Sequence, residues 1–98
     1  MNKEQVIAKL RGHEPELKAA GIMRLAVFGS VARGENSPQS DIDLLADFDK
    51  TKRYTLLSIG RIENRLADLL GTRVDLSSPG WLNESIRSQV LREAVNAF

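Results

Sequence analysis

The sequence contains no cysteine, and no long apolar segment interrupts its 98 residues. Without thiols the chain can form neither a disulfide framework nor a thiolate metal site. No window reaches the roughly 18 apolar residues that a membrane-spanning helix requires, so we expect no membrane contact. The first residues also lack the apolar stretch of a signal peptide, and we expect a cytoplasmic protein.

A strong excess of charge is missing as well. Fourteen Lys and Arg residues stand against thirteen Asp and Glu residues, a net charge of +1, and the basic residues are scattered along the chain. Because binding to nucleic-acid phosphates depends on a basic stripe, we expect no direct nucleic-acid binding. A chain of this length buries only about 60 to 65 per cent of its unfolded surface. We therefore expect one domain, 1–98, with any large acceptor supplied by a separate molecule.

The spacing of apolar residues predicts an α/β (α+β) chain in which helices alternate with strands. The first helix should be interrupted near Glu14, because Pro15 has no backbone N–H to donate. The pattern predicts helices over 3–20 and 55–70 and from 82 towards 98, and strands over 23–28, 41–48 and 73–77.

Two carboxylates stand one residue apart in the second predicted strand. In Asp41-Ile42-Asp43 the side chain of Ile42 points to the core, and both aspartates point to the other face. They are separated by about 6.5 to 7 Å along the strand, so they can converge on one or two cations. Two cations about 3.5 to 4 Å apart are a common way to hold the charge of phosphoryl transfer.

A third acid, Asp75, lies inside the apolar triplet Val74-Asp75-Leu76, where a strand pattern favours Val or Ile. On a neighbouring strand about 4.8 Å away it would complete the acidic cluster. We assign it a metal-binding role and the role of accepting the proton of the acceptor. Three close carboxylates repel one another without a cation, so the cluster itself implies a bound metal.

The turn after the first strand supplies the complementary part of a phosphate site. Gly29 lets the backbone approach a ligand closely, and Ser30 is expected to cap a short helix starting at Val31, where free N–H groups can hold phosphate oxygens. Arg33 is a second candidate phosphate ligand. An ion pair between Arg33 and a carboxylate such as Glu35 is the alternative.

Two other phosphate or metal motifs are excluded. An EF-hand loop should be polar with a central glycine, whereas Ile42 and Leu44 stand among the acids here. A P-loop requires a lysine at a fixed distance after its glycine, and the sequence offers none at that spacing. Asp47 and Asp49 lie towards the end of the strand, and we leave them outside the site.

Together these motifs resemble the polymerase-β-like nucleotidyltransferase superfamily, in particular its small members called minimal nucleotidyltransferases. The resemblance implies a small mixed sheet flanked by helices. It also implies that Gly29 and Ser30 hold the triphosphate of ATP, that Asp41 and Asp43 bind two Mg²⁺ ions, and that Asp75 is the third carboxylate. The segments that carry it are Gly29-Ser30, Arg33-Gly34, Ser40 to Leu44 and Val74 to Leu76.

Small proteins that look like this one are typically antitoxins paired with a HEPN-domain ribonuclease toxin. They transfer AMP from ATP to a tyrosine of the toxin, which implies a partner protein and a possible hetero-oligomer with it. Two alternatives remain open at this point. One is a nucleotidyltransferase for a small molecule such as an aminoglycoside, and the other is a non-catalytic antitoxin that acts by binding.

Overall fold

A computed structural model of the chain describes residues 1–98 as five α-helices and one four-stranded sheet. The helices are α1 (Lys3–Gly12), α2 (Glu14–Ala19), α3 (Gly29–Arg33), α4 (Leu56–Leu70) and α5 (Glu84–Glu93). The strands are β1 (Ile22–Phe28), β2 (Ile42–Phe48), β3 (Val74–Ser77) and β4 (Val95–Asn96), and a 3-10 turn spans Pro79–Trp81. None of the helices is both long enough and apolar enough to cross a membrane.

The sheet is mixed, with the strand order β3-β2-β1-β4. β1 pairs antiparallel with both β2 and β4, while β2 pairs parallel with β3. The parallel pair is possible because the long connection through α4 carries the chain back to the starting end of the sheet. The prediction of a small mixed sheet flanked by helices is confirmed.

The first helical segment is divided as its proline predicts. Asn2 and Gln5 form a reciprocal capping box with two 2.9 Å hydrogen bonds, which starts α1. α1 ends at Gly12, and α2 begins at Glu14 with Pro15 in its first turn. Proline is tolerated there, because an N–H in the first turn has no partner within the helix.

The main core lies between one face of the sheet and helices α1, α2 and α4. It contains 16 buried apolar residues, among them Leu10, Leu25, Leu44 and Leu66, each fully buried. On the opposite face of β2, Leu45 packs with Ala26 and with Val90 of α5 in a second, smaller apolar cluster.

The C-terminal segment differs from its predicted helix. α5 ends at Glu93, and the chain then extends to form β4 beside β1. The Ala97 N–H donates to the Leu25 carbonyl at 2.8 Å, and the Arg11 Nε donates to the Ala97 carbonyl at 2.5 Å. A strand of two residues, Val95–Asn96, is too short to show a period in the sequence. The helical spacing of the preceding residues therefore led to a prediction of helix where the structure has β4.

Candidate active site

Three acidic residues lie near one another where β2 and β3 begin. The parallel register pairs Asp43 with Asp75, so these two side chains project from the same face of adjacent strands. Asp41 directly precedes β2, and its Oδ1 lies 3.1 Å from the Nε of Arg73, which directly precedes β3. The three residues predicted from the sequence thus lie at the same end of the sheet, and Asp75 is exposed on an outermost strand.

The surroundings of Asp43 disfavour its negative charge. Burial raises the pKa of its carboxyl first, and the charges of Asp75 and Asp41 then raise it further. Arg33 opposes this effect, whereas a fourth acid, Glu93, adds to it. A cation next to Asp43 would offset both the cost of burying its negative charge and the repulsion from the neighbouring acids.

The donor set at this edge fits a hard divalent cation, because carboxylate oxygens are the ligands that Mg²⁺ prefers. The side chains are not arranged as a closed ligand cage: no group of three His, Cys, Asp or Glu side chains is close enough to hold a metal ion. The Asp41 carboxylate instead faces Arg73, and both side chains are largely exposed, at 47% and 83%. Such an exposed ion pair is weak, so a divalent ion can compete for Asp41.

The turn after β1 lies directly against Asp43. Gly29 has a left-handed backbone with φ of +71°, and a Cβ placed on it would overlap Oδ2 of Asp43 and lie 3.0 Å from its Cγ. Only a residue without a side chain allows this approach. The glycine therefore brings a backbone turn and a carboxylate into direct contact.

The expectation that Ser30 caps a helix starting at Val31 is wrong. α3 begins at Gly29, its N-cap residue is Phe28, and no side chain caps it. Ser30 stands within the first turn, because the helix begins at the left-handed Gly29, two residues before Val31.

Arg33 is engaged by two carboxylates. Its Nε donates to Oε2 of Glu35 at 2.9 Å, and its Nη1 lies 3.2 Å from both carboxylate oxygens of Glu93. Both partners raise the pKa of the guanidinium, with Glu35 the larger cause. The ion pair with Glu35, left open as an alternative by the sequence, is therefore present in the structure.

Glu93 is a residue of this site that the sequence analysis missed. It is the last residue of α5, its side chain is only 19% exposed, and its Oε1 accepts a hydrogen bond of 2.9 Å from the Gly29 N–H. The sequence contains one indication of this role. A carboxylate in the last turn of a helix interacts unfavourably with the helix dipole, so its presence there suggests a compensating contact with another part of the fold.

The largest pocket of the structure lies elsewhere, at the opposite end of β2. It has a volume of about 920 Å³ and is lined by Phe48, Tyr54 and Trp81 among others, but by none of the three acids. The rings of Phe48 and Trp81 stack with centroids 5.5 Å apart. Pocket size alone would therefore not have located the acidic site.

Comparison with known proteins places the chain in a family. The sequence profile described as "Nucleotidyltransferase domain" matches residues 9–97. The chain belongs to the nucleotidyltransferase family. This nucleotidyltransferase is 40% identical over 93 residues to Protein adenylyltransferase MntA of Thermococcus cleftensis, covering 94% of this chain and 92% of that relative. The prediction of a nucleotidyltransferase enzyme is confirmed.

Solved structures give the same result for the fold. One, described as a candidate minimal nucleotidyltransferase, has a TM-score of 0.80 and 42% identity and covers 97% of this nucleotidyltransferase and 95% of that chain. A second match lies in a complex described as tri-AMPylated Shewanella oneidensis HEPN toxin with MNT antitoxin. Its TM-score is 0.63 with 16% identity, over 90% of this chain and 68% of that one. At that identity the second match shows a shared fold only.

Proposed function

We propose that this nucleotidyltransferase transfers AMP from ATP to a tyrosine hydroxyl of a partner HEPN ribonuclease toxin and thereby acts as its antitoxin. The observation that carries the proposal is the pairing of Asp43 with Asp75 directly beside the Gly29 turn. The relative named a protein adenylyltransferase supports the choice of a protein acceptor. The fold shared with a chain of a toxin and antitoxin complex supports the kind of partner.

Asp41, Asp43 and Asp75 are the residues that would hold Mg²⁺, with two ions expected. When bound, the ions would supply positive charge to the attacking and leaving oxygens of the transfer. The charges that raise the pKa of Asp43 support this assignment, because they leave the acids unbalanced in the metal-free chain.

Gly29 and Ser30 are proposed to bind the triphosphate. Gly29 brings the first turn of α3 next to Asp43, so that a triphosphate held by the backbone N–H groups that follow Gly29 would have its reacting phosphate beside the acids. Arg33 would attract the same anion. Its two carboxylate partners already neutralise much of its charge, so we assign it the smaller share of ATP binding.

In the proposed reaction the tyrosine oxygen forms a bond to the α-phosphorus of ATP as the bond between that phosphorus and the bridging oxygen of the β-phosphate breaks. Pyrophosphate leaves, and the proton of the hydroxyl passes to the carboxylate of Asp75. Asp75 suits this role better than Asp43 because it is exposed on the edge strand, whereas Asp43 is half-buried under Gly29. A proton acceptor must be within reach of the attacking group.

The position of the acids favours an acceptor on another macromolecule. Asp75 is exposed on the edge strand β3, and Asp41 is exposed just before the neighbouring strand β2. A tyrosine on a partner protein can approach such an open edge. A small acceptor would need walls to hold it in place.

The proposal is tested by incubating the protein with ATP, Mg²⁺ and the product of the neighbouring gene, followed by intact-mass analysis of that partner. We expect the partner to gain one or more adenylyl groups on tyrosine. Asp43→Asn should abolish the gain. Asp47→Asn is the matched control, since Asp47 is exposed on the same face of the same strand, and it should act as the unchanged protein.

Two outcomes would contradict the proposal. An unmodified partner that is nevertheless inhibited would indicate a non-catalytic antitoxin that acts by binding. Adenylylation of an aminoglycoside rather than of the partner would indicate an enzyme for small molecules.

A further inference from the structure

We propose that Glu93 is a positioning residue of the nucleotide site, which holds the Gly29 turn and Arg33 in the geometry that ATP binding requires. This inference rests on the proposed function, because it concerns the same site. The hydrogen bonds of the Glu93 carboxylate are to Gly29 and Arg33. It acts through two groups, one that donates a hydrogen bond to it and one that pairs with its charge.

The first group is the backbone of Gly29. Its N–H belongs to the first turn of α3 and has no acceptor within that helix, and Oε1 of Glu93 accepts it at 2.9 Å. Gly29 is buried, and it is the residue whose backbone presses against the Asp43 carboxylate. A hydrogen bond that fixes Gly29 therefore also fixes the gap between the turn and the acid.

The second group is the guanidinium of Arg33, at the other end of the same short helix. Nη1 lies 3.2 Å from each oxygen of Glu93, while Glu35 takes Nε. One carboxylate thus joins the first and last residues of α3. A helix of five residues cannot hold its own conformation in water, so such a tertiary contact determines its position.

Glu93 is itself held firmly on both sides along the chain. It ends α5, where the N–H of Ala94 donates to the Val90 carbonyl at 2.9 Å, and Val90 is buried against the sheet. Immediately afterwards Val95 pairs with Val27 of β1, the strand that leads into the Gly29 turn. The carboxylate is therefore anchored to the strand whose end it supports.

The helix dipole gives an independent argument. A negative charge on the last residue of α5 is unfavourable, because it lies at the negative end of the helix dipole. Removal of Glu93 should therefore favour α5 itself. Any loss seen in its variants then reports the contacts with Gly29 and Arg33 rather than damage to the helix.

Two substitutions separate the parts of this role. Glu93→Ala removes both contacts, and loss of an acceptor of this kind should weaken ATP binding about ten-fold. Glu93→Gln keeps an oxygen for the Gly29 N–H but loses the charge, and it should stay within about three-fold of the unchanged protein. Glu84 is an exposed acid of the same helix, so Glu84→Gln is the control and should leave ATP binding unchanged.

The measurements are amide hydrogen exchange of residues 29–33 without nucleotide, ATP binding with Mg²⁺, and the steady-state KM for ATP and kcat. In Glu93→Ala we expect faster exchange in this segment and a KM raised about ten-fold, with kcat at saturating ATP reduced much less. A purely structural effect would lower the active fraction and hence kcat, without moving KM.

Unchanged exchange in Glu93→Ala would overturn the proposal. Tighter ATP binding in that variant would also overturn it, because Glu93 would then be a competitor for the phosphate position. The exchange arm needs no nucleotide. If the unchanged protein failed to bind ATP, the proposed function would fall, while the result for the Gly29 turn would still stand.

Discussion

Asp43 carries a charge that the folded chain disfavours, because burial and then the charges of Asp75 and Asp41 raise the pKa of its carboxyl. Folding is therefore penalised as the pH rises through the ordinary carboxyl pKa of about 4. The effect is small at a partly exposed group. Asp43→Asn should raise the Tm at pH 7 by about 1 to 2 °C, with no gain at pH 3, where the carboxyl is protonated in both states.

The same variant should lose nearly all transfer activity, by a factor of at least about 100. Thermal unfolding followed by circular dichroism at the two pH values measures the first effect, and intact-mass analysis of the partner measures the second. A Tm lowered by several degrees at pH 7 would show that the Asp43 carboxylate stabilises the fold instead.

Two glycines have the same backbone conformation, so alanine variants at the two positions separate the effect of backbone strain from the effect of contact with a neighbouring side chain. Gly29 and Gly34 have φ of +71° and +73°, but only at Gly29 would a Cβ meet other atoms, those of Asp43. Alanine at either position should lower the free energy of unfolding by about 1 to 2 kcal/mol through strain. Gly29→Ala must in addition displace the Asp43 carboxylate.

We therefore expect transfer to fall at least about 100-fold in Gly29→Ala and less than about three-fold in Gly34→Ala. Urea unfolding and a single-turnover transfer assay on both variants measure the two effects. Equal activities would mean that the contact between Gly29 and Asp43 has no part in the chemistry.

Helix α4 shows which of its leucines stabilise the fold. Leu66 is fully buried between α4 and the sheet, whereas Leu57, in the first turn of the same helix, is 66% exposed. Leu66→Ala should reduce the free energy of unfolding by about 2 to 5 kcal/mol. Leu57→Ala should stay within about 0.5 kcal/mol, as for most surface changes. Urea unfolding measures both, and similar losses would show that α4 packs on a different face.

The short strand β4 is followed by a residue that accepts a hydrogen bond from α1. The Arg11 Nε donates to the Ala97 carbonyl at 2.5 Å, while Lys9, also in the last turn of α1, makes no side-chain bond in the structure. Arg11→Ala should lower the free energy of unfolding by about 1 kcal/mol and speed amide exchange in 95–98. Lys9→Ala should do neither. Unchanged exchange in Arg11→Ala would mean that pairing with β1 alone holds the strand.

Elements with a clear period could be predicted from the sequence, and those set by tertiary contacts could not. The alternation of Ile42, Leu44 and Ala46 gives β2, and the spacing of Ile62, Leu66 and Leu69 gives α4. β4 has only two residues and owes its existence to β1. α3 starts at Gly29 because of a left-handed turn that no apolar period reports.

The same distinction applies to the candidate site. Asp41, Asp43 and Asp75 stand out because acids in strands need a reason, and their types and spacing indicate a cation. Glu93 does not stand out in this way, since a glutamate on a helix is ordinary until the fold brings it to Gly29. Likewise the register that pairs Asp43 with Asp75 depends on the parallel packing of β2 and β3.

In the molecule as a whole, the mixed topology is what creates the site. The chain crosses from β2 through α4 to a parallel β3, which returns Asp75 to the end of the sheet where Asp43 already lies. The antiparallel β1 ends at that same edge and delivers the Gly29 turn to it. Three separate segments of the chain thereby meet at one end of the sheet, and we propose that together they bind a metal ion and ATP.

Calorimetry of ATP binding, with and without Mg²⁺, tests this shared site in the unchanged protein, in Asp75→Asn and in the control Asp47→Asn. We expect Mg²⁺ to tighten ATP binding at least about ten-fold in the unchanged protein and the control. In Asp75→Asn most of that gain should be absent. If Asp75→Asn kept the full effect of Mg²⁺, Asp75 would have no part in binding the metal and the three segments would not form one metal site.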